Sequence, residues 1–134
     1  MDSKTIKKYS KKTVPQLIKI ATLHFNKFIR ERDKDFGCVS CQSKVNQAGH
    51  FYSGGHYSAL RFNQNNVHGQ CTRCNLYLSG NLNEYRKNIV KRIGENGLVK
   101  LDELAAYYKR NGFKWDRFTL IKIIEEHKLL NKKK

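Results

Sequence analysis

All four cysteines of this 134-residue chain belong to two Cys-x-x-Cys pairs, Cys38 with Cys41 and Cys71 with Cys74. A two-residue spacer turns both thiolates of a pair toward one point, so two pairs supply the four sulfur ligands of a tetrahedral structural zinc site. Two disulfides are the alternative, but polar and basic residues, rather than an apolar signal segment, precede the first pair. The sequence therefore predicts structural zinc in a cytoplasmic protein.

One histidine and several asparagines between and beside these pairs are candidates for chemistry. Hydrolysis of a phosphodiester needs a base that deprotonates water and positive charge beside the phosphate. His50 suits the base because the ordinary pKa of histidine lies near neutrality. Asn66 lies before the second pair, and Asn75 follows it directly. The alternatives are a packed or solvated histidine at position 50, a loop role for Asn66 and its neighbours Asn63 and Asn65, and a helix cap at Asn75.

A histidine, an asparagine and a ligand-type residue directly after a Cys-x-x-Cys pair resemble the HNH, or ββα-metal, nuclease motif. With asparagine in the last position, the motif is similar to that of phage endonuclease VII. The resemblance implies that His50 activates water, that Asn66 orients the hairpin or the histidine, and that Asn75 helps to hold a catalytic magnesium or manganese ion. Gly49 departs from the family, which commonly has an aspartate ligand just before the histidine.

The rest of the ligand set for a catalytic metal is open, because residues 36–80 contain no aspartate or glutamate. Substrate phosphate and water would then complete the set around Asn75. Asp35, Glu84, His56 or His68 is an additional candidate. For His56 and His68, a phosphate contact or a plain surface position is the alternative.

A longer series of short blocks lies in order along residues 26–93, about half of the chain. The blocks are Asn26–Arg30 leading to Arg32-Asp33, Cys38–Cys41, Ala48–Tyr52, Leu60–Asn63, Asn66–Cys71, Cys74-Asn75 and Ser79–Leu82. This series resembles the NinG/Rap recombination endonucleases of lambdoid phages. The resemblance implies a structure-selective endonuclease that cuts branched DNA such as Holliday junctions and D-loops, and it implies that Gly49 is normal in this branch. Because a symmetric junction needs two cuts, a homodimer would suit the reaction.

The charge of the chain predicts a polyanionic partner. With 27 Lys and Arg against 11 Asp and Glu, the net charge is +16 and the isoelectric point about 9.9. Nucleic acid fits this excess better than a membrane, because no long apolar segment is present. Ten basic residues lie in residues 1–35 and fourteen in residues 81–134. The candidates for phosphate contact are Arg61, Arg73, Lys27, Arg30, Arg86 and Lys87, each with a solvated surface position as the alternative.

The elements that must position these residues form an α+β arrangement. The resemblance implies a small zinc-bound ββα-metal core, and the periodicity predicts an N-terminal helix and C-terminal helices on either side of it. The regions expected are a flexible basic arm over 1–12, an amphipathic helix over 13–35 that packs on the zinc region, the nuclease core over 36–80 and a basic helical region over 81–134.

Within these regions, hydrophobic spacing and capping residues predict the individual elements. The first long helix should run from Thr13 to about Arg32. A strand over 48–56 and a return segment over 60–70 should form a hairpin. Helices should begin at Asn81, which with Glu84 has the spacing of a capping box, and end before Gly94, then run over 102–110 and from Asp116 to about Leu130, with Gly112 as a stop.

Two other functions are compatible with the composition. A noncatalytic four-cysteine zinc module that binds DNA or RNA would have the same charge and the same cysteines, and its activity would survive replacement of His50. A sequence-specific nuclease of the homing or restriction type would instead cut plain duplex at one sequence. Only the placement of His50, Asn66 and Asn75 separates the metal-dependent junction nuclease from the noncatalytic module.

Overall fold

The computed structural model describes residues 1–133 and has an α+β architecture, as predicted. Its elements are α1 (Ser3–Lys8), α2 (Val14–Asp33), β1 (Gln47–His50), β2 (Val67–Gln70), α3 (Leu82–Asn111) and α4 (Arg117–Lys132). The chain divides into two compact units. One contains Met1–Phe28 with the residues from Lys114 onward, and the other contains Ile29–Phe113. None of the helices within residues 1–133 is long and apolar enough to cross a membrane.

The prediction of a flexible arm over residues 1–12 is wrong, because this segment contains α1 and packs within the first unit. Tyr9 is buried, and its hydroxyl donates a hydrogen bond of 2.6 Å to Glu125. The guanidinium of Arg117 donates to the carbonyl oxygens of Tyr9 and Lys12 at 2.9 and 3.0 Å. These partners lie in or next to α4, over a hundred residues away in sequence, so no local pattern reveals them.

The first long helix agrees with its prediction and begins with a reciprocal cap. The backbone N–H of Gln16 donates to Thr13 Oγ1, and the backbone N–H of Thr13 donates to Gln16 Oε1. Within the first unit, the rings of Phe25 and Phe28 contact the ring of His127, with centroids 5.0 and 5.3 Å apart. The packing of this helix on the zinc region stays a prediction.

The predicted hairpin is present, but its strands are short. β1 and β2 pair antiparallel, with Gln47 opposite Gln70 and His50 opposite Val67. The residues between the strands form a loop with one 3-10 turn at Ser58–Leu60 rather than longer strands. Gly54 and Gly55 lie in this loop.

Helix α3 bends at Gly94, whose φ of 77° and ψ of 167° are not helical. The predicted end before Gly94 is therefore confirmed, but the next helical segment begins directly after it and not at residue 102. Leu101 and Ala105 of this second segment are buried in the hydrophobic core, which overrides the weak helix propensity of Gly97. Gly112 ends the helix and Asp116 caps α4 through the N–H of Thr119, both as predicted.

The core of the second unit lies between the hairpin loop and α3. Its fully buried members are Val39, Leu60, Tyr85, Ile89, Leu101 and Ala105. They come from the first cysteine segment, from the loop between the strands and from both segments of α3. This core therefore fixes the loop and the first cysteine segment that carry the candidate functional residues.

Candidate metal centre and hairpin site

The four cysteines converge on one point. The sulfurs of Cys38, Cys41, Cys71 and Cys74 all lie within 4.8 Å of one another, and no disulfide joins them. A tetrahedral zinc ion with Zn–S bonds of about 2.3 Å holds its sulfurs about 3.8 Å apart. The distance of 3.6 Å between the sulfurs of Cys41 and Cys71 matches this geometry. The residues therefore fit one metal ion such as zinc.

Hydrogen bonds around the sulfurs favour thiolates. The hydroxyl of Ser43 lies 3.0 Å from Cys41 Sγ, and this contact lowers the pKa of the Cys41 thiol. The side-chain amide of Asn81 donates to Cys74 Sγ at 3.5 Å. The capping box predicted for Asn81 and Glu84 is therefore wrong. Asn81 has a left-handed backbone, with φ of 45°, and its side chain points to the sulfur cluster instead of capping α3.

The hairpin and two tight turns position the cysteine pairs. The N–H of Val39 donates to the carbonyl of Gly69 in β2 at 3.0 Å, which ties the first pair to the strand that leads into the second. Gly37 precedes the first pair with φ of 81°, and a Cβ there would lie 2.6 Å from the carbonyl oxygen of Gln42. The second pair enters a π-helical turn, Arg73–Tyr77. π-helical turns are rare in proteins, and those that occur are often found at functional sites.

His50 ends β1, and its ring is mostly buried. Its Nε2 lies 2.8 Å from the carbonyl oxygen of Arg61. Because a carbonyl oxygen only accepts, Nε2 carries the proton and donates, so Nδ1 keeps a lone pair. Burial lowers the pKa of His50 below the ordinary value of 6.5. The imidazole is therefore neutral near pH 7 and has one nitrogen that is able to accept a proton.

Asn66 is fully buried and closes the loop between the strands. Its Oδ1 accepts from the N–H of Tyr52 at 2.8 Å, and its Nδ2 donates to the carbonyls of Tyr52 and Leu60 at 2.9 and 3.1 Å. Leu60 is next in the chain to Arg61, whose carbonyl holds the ring of His50. Asn66 therefore fixes the backbone that sets the orientation of the histidine.

We expect Asn66→Asp to destabilise the protein although it preserves the shape of the side chain. The carboxylate would face the carbonyls of Tyr52 and Leu60 without a donor, which costs about 3 kcal/mol or more. The free energy of unfolding in urea measures the effect, with Asn65→Asp at an exposed neighbouring position as the control. Equal stability of the two variants would contradict the role of Asn66 as a loop clamp.

Asn75 lies in the π-helical turn and contacts β1. Its side-chain amide donates to Gln47 Oε1 at 2.5 Å, which leaves the carbonyl oxygen of Asn75 as a potential metal ligand. No group of three or more metal-ligating side chains other than the four cysteines occurs within residues 1–133. Asp35, Glu84, His56 and His68 therefore do not form a three-ligand group with one another in the described structure.

The individual candidates for that second ligand have other partners or other positions. His68 is buried, its Nδ1 lies 3.2 Å from the hydroxyl of Tyr85, and burial lowers its pKa to about 4. The carboxylate of Glu84 accepts from Lys87 at 3.1 Å. Asp35 and His56 are exposed. Of the alternatives for His68, the plain surface position is wrong, because its side chain is buried beside Tyr85.

Gln70 explains why glycine occupies position 49. A Cβ on Gly49 would lie 1.8 Å from Gln70 Oε1, so the two side chains cannot share this space. Gln70 is fully buried, and its Nε2 donates to Ser40 Oγ and to the carbonyl of Gly80 at 2.9 and 2.8 Å. An aspartate at position 49 is therefore sterically excluded, which accounts for the departure from the HNH pattern.

Gly49→Ala is accordingly expected to lower the free energy of unfolding by about 1 to 3 kcal/mol, because the added methyl group overpacks a buried site. Chemical denaturation of the zinc-loaded protein measures this loss. In the double variant with Gln70→Ala, the same substitution at position 49 should cost less, since the clashing amide is gone. Additive losses would show that Gln70 does not set the requirement for glycine.

The six basic candidates differ in how firmly they are held. Arg61 donates to the carbonyl of Gly54 at 3.2 Å. Arg86 pairs with Asp102 at 2.6 Å, and Lys87 pairs with Glu84 at 3.1 Å. Arg30 is half-buried, whereas Arg73 and Lys27 are exposed. Arg73 directly precedes Cys74, so among these cations it lies nearest in the chain to the cluster and to Asn75.

Asp33 is a structural residue of this site that the sequence analysis missed. Burial opposes its ionisation, but the hydrogen bonds from Arg32 and from the N–H of Gly69 outweigh burial and lower its pKa. Arg32 also donates to the carbonyls of Gln64 and Val67 at 3.0 and 2.8 Å. This pair therefore joins the end of α2 to β2. The adjacent Arg32 and Asp33 in the sequence could have indicated an ion pair, but no neighbouring residue indicated that Asp33 is buried.

Comparison with known proteins identifies relatives over nearly the whole chain. The family model described as Bacteriophage Lambda NinG protein matches residues 1–134. The proteins named Protein ninG of Escherichia phage lambda and Salmonella phage P22 are each 36% identical over 131 residues, which is 96% of this chain and 63% of theirs. Protein ninG of Escherichia phage 933W is 35% identical, and 64% of its length is covered.

The chain thus spans less than two thirds of the length of these curated relatives. No solved structure matches it significantly. The family match includes both cysteine pairs, the hairpin and the flanking helices. On this match the chain belongs to the NinG family.

Proposed function

We propose that this chain is a metal-dependent endonuclease of the HNH type that hydrolyses phosphodiesters in branched DNA. The observation that carries the proposal is the environment of His50. A buried neutral imidazole, with one nitrogen donating to a fixed carbonyl and the other holding a lone pair, has the properties of a general base. We further propose that β1, β2 and the π-helical turn after Cys71 correspond to the ββα-metal arrangement.

In the proposed reaction His50 Nδ1 removes a proton from a water molecule as its oxygen attacks phosphorus. The bond from phosphorus to the leaving oxygen breaks, that oxygen takes up a proton from solvent water, and the imidazolium of His50 then releases its proton to solvent. The carbonyl of Arg61 accepts from Nε2 throughout and stabilises the imidazolium that forms. Asn66 maintains this geometry because it binds the backbone carbonyls of Tyr52 and of Leu60, the residue before Arg61.

A magnesium or manganese ion, when bound, would neutralise negative charge on the phosphate. In this chain the carbonyl oxygen of Asn75 would help to hold it, while substrate phosphate and water complete the ligands. Because residues 36–80 contain no carboxylate, we expect weak binding of the ion without DNA.

The net charge of +16 supports a nucleic-acid substrate. Phosphate contacts release counterions, so the binding of DNA should weaken steeply as salt increases. Arg73 and Lys27 are exposed and free to make such contacts, whereas Arg86 and Lys87 are held in ion pairs with Asp102 and Glu84. A homodimer would place two catalytic sites on one junction. We also propose that the protein acts in the cytoplasm.

Cleavage should depend on pH through His50. Burial lowers the pKa of this histidine below 6.5, and only the neutral imidazole accepts a proton. The rate should therefore fall as the pH drops through this lowered pKa, so the acidic limb of the profile of kcat/KM should have its midpoint below 6.5. Single-turnover rates between pH 4.5 and 8 measure the profile. A midpoint above 6.5 would argue against a buried histidine as the base.

The decisive experiment compares cleavage of an end-labelled four-way junction, a D-loop and a matched linear duplex by the zinc-loaded protein with magnesium or manganese. We expect cuts in the branched substrates and little cutting of the duplex. Cutting of the plain duplex at one sequence would instead indicate a sequence-specific nuclease.

A noncatalytic zinc module that binds DNA or RNA is the second candidate. The absence, within residues 1–133, of a second group of three or more histidine, cysteine or carboxylate side chains favours it. Tight binding of branched DNA without cutting, with either metal, would support this module and overturn the nuclease.

A further inference from the structure

An open cleft lies beside the hairpin loop and has no role in the proposed hydrolysis. Its main lining residues are Phe51, Tyr57, Leu82, Leu98, Arg86 and Lys87. The first two come from the loop after His50, and the others come from α3. Leu82, which also lines the cleft, is 45% exposed.

The aromatic rings of this cleft are held rigidly from behind. Phe51, Tyr52 and Tyr57 are half-buried and pack against the core of the second unit. Tyr52 contacts Phe51 and Tyr57 edge to face, with ring centroids 5.0 and 4.8 Å apart. The hydroxyl of Tyr52 donates to Asp102. The outer faces of the rings therefore form a preorganised apolar platform.

The platform is built onto the same backbone that orients His50. Phe51 follows His50 directly, so their Cα atoms are about 3.8 Å apart. The N–H of Phe51 donates to the carbonyl of Asn66 at 2.9 Å, and the N–H of Tyr52 donates to Asn66 Oδ1. A DNA strand with a phosphate at His50 would therefore have a neighbouring nucleotide within reach of the cleft.

The chemistry of the cleft suits a base better than a phosphate. Its cations are already paired, Arg86 with Asp102 and Lys87 with Glu84, and the guanidinium of Arg86 lies 5.7 Å from the ring centre of Phe51. Its other walls are mainly aromatic or aliphatic, with Ser53 and Asn83 as the uncharged polar residues. A planar base with free faces gains stacking energy from such walls, whereas a base inside a duplex already stacks on both sides.

We infer that this cleft binds one unpaired nucleobase at the branch point of the DNA substrate and so selects branched over linear DNA. The inference rests on the proposed function, because it names the part of the substrate that lies next to the scissile phosphate. The ligand is a base of any sequence, since every base has a π face.

Affinity for forked DNA tests the inference without any cleavage. Zinc-loaded protein, without added magnesium or manganese, is titrated into a labelled fork in which an abasic residue is moved one nucleotide at a time across the branch. At one position the loss of the base should weaken binding roughly 5- to 100-fold, the range of one base–aromatic stack. The measured quantity is the ratio of the Kd for the abasic fork to the Kd for the intact fork. In Leu82→Trp, where the indole fills the cleft, this ratio should fall to about one.

Leu129→Trp is the matched control, because Leu129 is also exposed but lies on α4, and it should keep the wild-type ratio. Phe51→Leu keeps an apolar side chain and removes the ring, so it should lower the ratio even if Leu82→Trp folds poorly. An equal ratio in the wild type and in Phe51→Leu, or no sensitive position in the wild type, would overturn the inference.

The two proposals fail separately. Branch-specific cutting without any abasic effect would overturn the base site and leave the nuclease in place. A strong abasic effect without cutting would overturn the nuclease and leave a cleft that binds unpaired bases.

Discussion

Removal of zinc is expected to unfold the unit formed by Ile29–Phe113. A structural zinc ion contributes roughly 10 to 16 kcal/mol of apparent binding free energy in small modules, which is as large as the entire free energy of unfolding of a typical domain. The cysteines join the segment that contains Val39 of the core to the strand that carries His68 and Gln70. Without the metal, these segments would be held by two four-residue strands and a small core.

Circular dichroism and metal analysis during titration with a chelator measure this effect, and the loss of structure should follow the loss of one zinc per chain. Cys71→Ser should bind zinc weakly and unfold at a much lower temperature. Ser43→Ala is the control, since it removes a contact to Cys41 but no ligand. A chelated protein with unchanged spectrum and unfolding temperature would show that the cluster is not structural.

The second large effect is expected for His50→Ala. Loss of the general base should lower the rate of cleavage of branched DNA by about 10²- to 10⁴-fold. The affinity for DNA should change little, because the proposed function assigns the phosphate contacts to basic residues elsewhere. Single-turnover cleavage and binding of the same junction separate the two quantities.

His56→Ala is the matched control, because His56 is exposed in the same loop. His50→Gln adds a second comparison, since its amide is able to keep a donor for the carbonyl of Arg61 but is not a base. Cleavage by either position-50 variant at the wild-type rate would exclude His50 as the base. Zinc content should be equal in all variants, so that a folding defect is not mistaken for a catalytic one.

Local patterns predicted the parts of this structure that local chemistry determines. The spacing within Cys38–Cys41 and Cys71–Cys74 predicted a cluster, and the four sulfurs do converge. The reciprocal cap at Thr13, the break at Gly94 and the cap at Asp116 were also evident, because each depends on residues within one helical turn.

The sequence-based predictions were wrong where contacts between residues far apart in the chain determine the structure. The hydroxyl of Tyr9 has its partner on α4, so residues 1–12 were wrongly predicted as a flexible arm. Asn81 has the spacing of a cap, but Cys74 Sγ takes its amide. The need for glycine at position 49 is explained only by the side chain of Gln70, which comes from the neighbouring strand β2. For the site itself, sequence spacing selected His50 and Asn66 as candidates, but the carbonyl of Arg61 and the loop contacts that define their geometry required coordinates.

The unequal exposure of the four cysteines determines which of them is oxidised or alkylated first during storage. Cys41 is exposed, whereas Cys38, Cys71 and Cys74 are buried. Oxidants and alkylating reagents therefore reach Cys41 first, and a sulfur carried to the sulfinic acid does not return to a thiolate under ordinary reduction. Each such event would leave three ligands around the metal. The shelf life of purified protein should thus be set by the redox history of one side chain, and thiol reductants in the storage buffer should extend it.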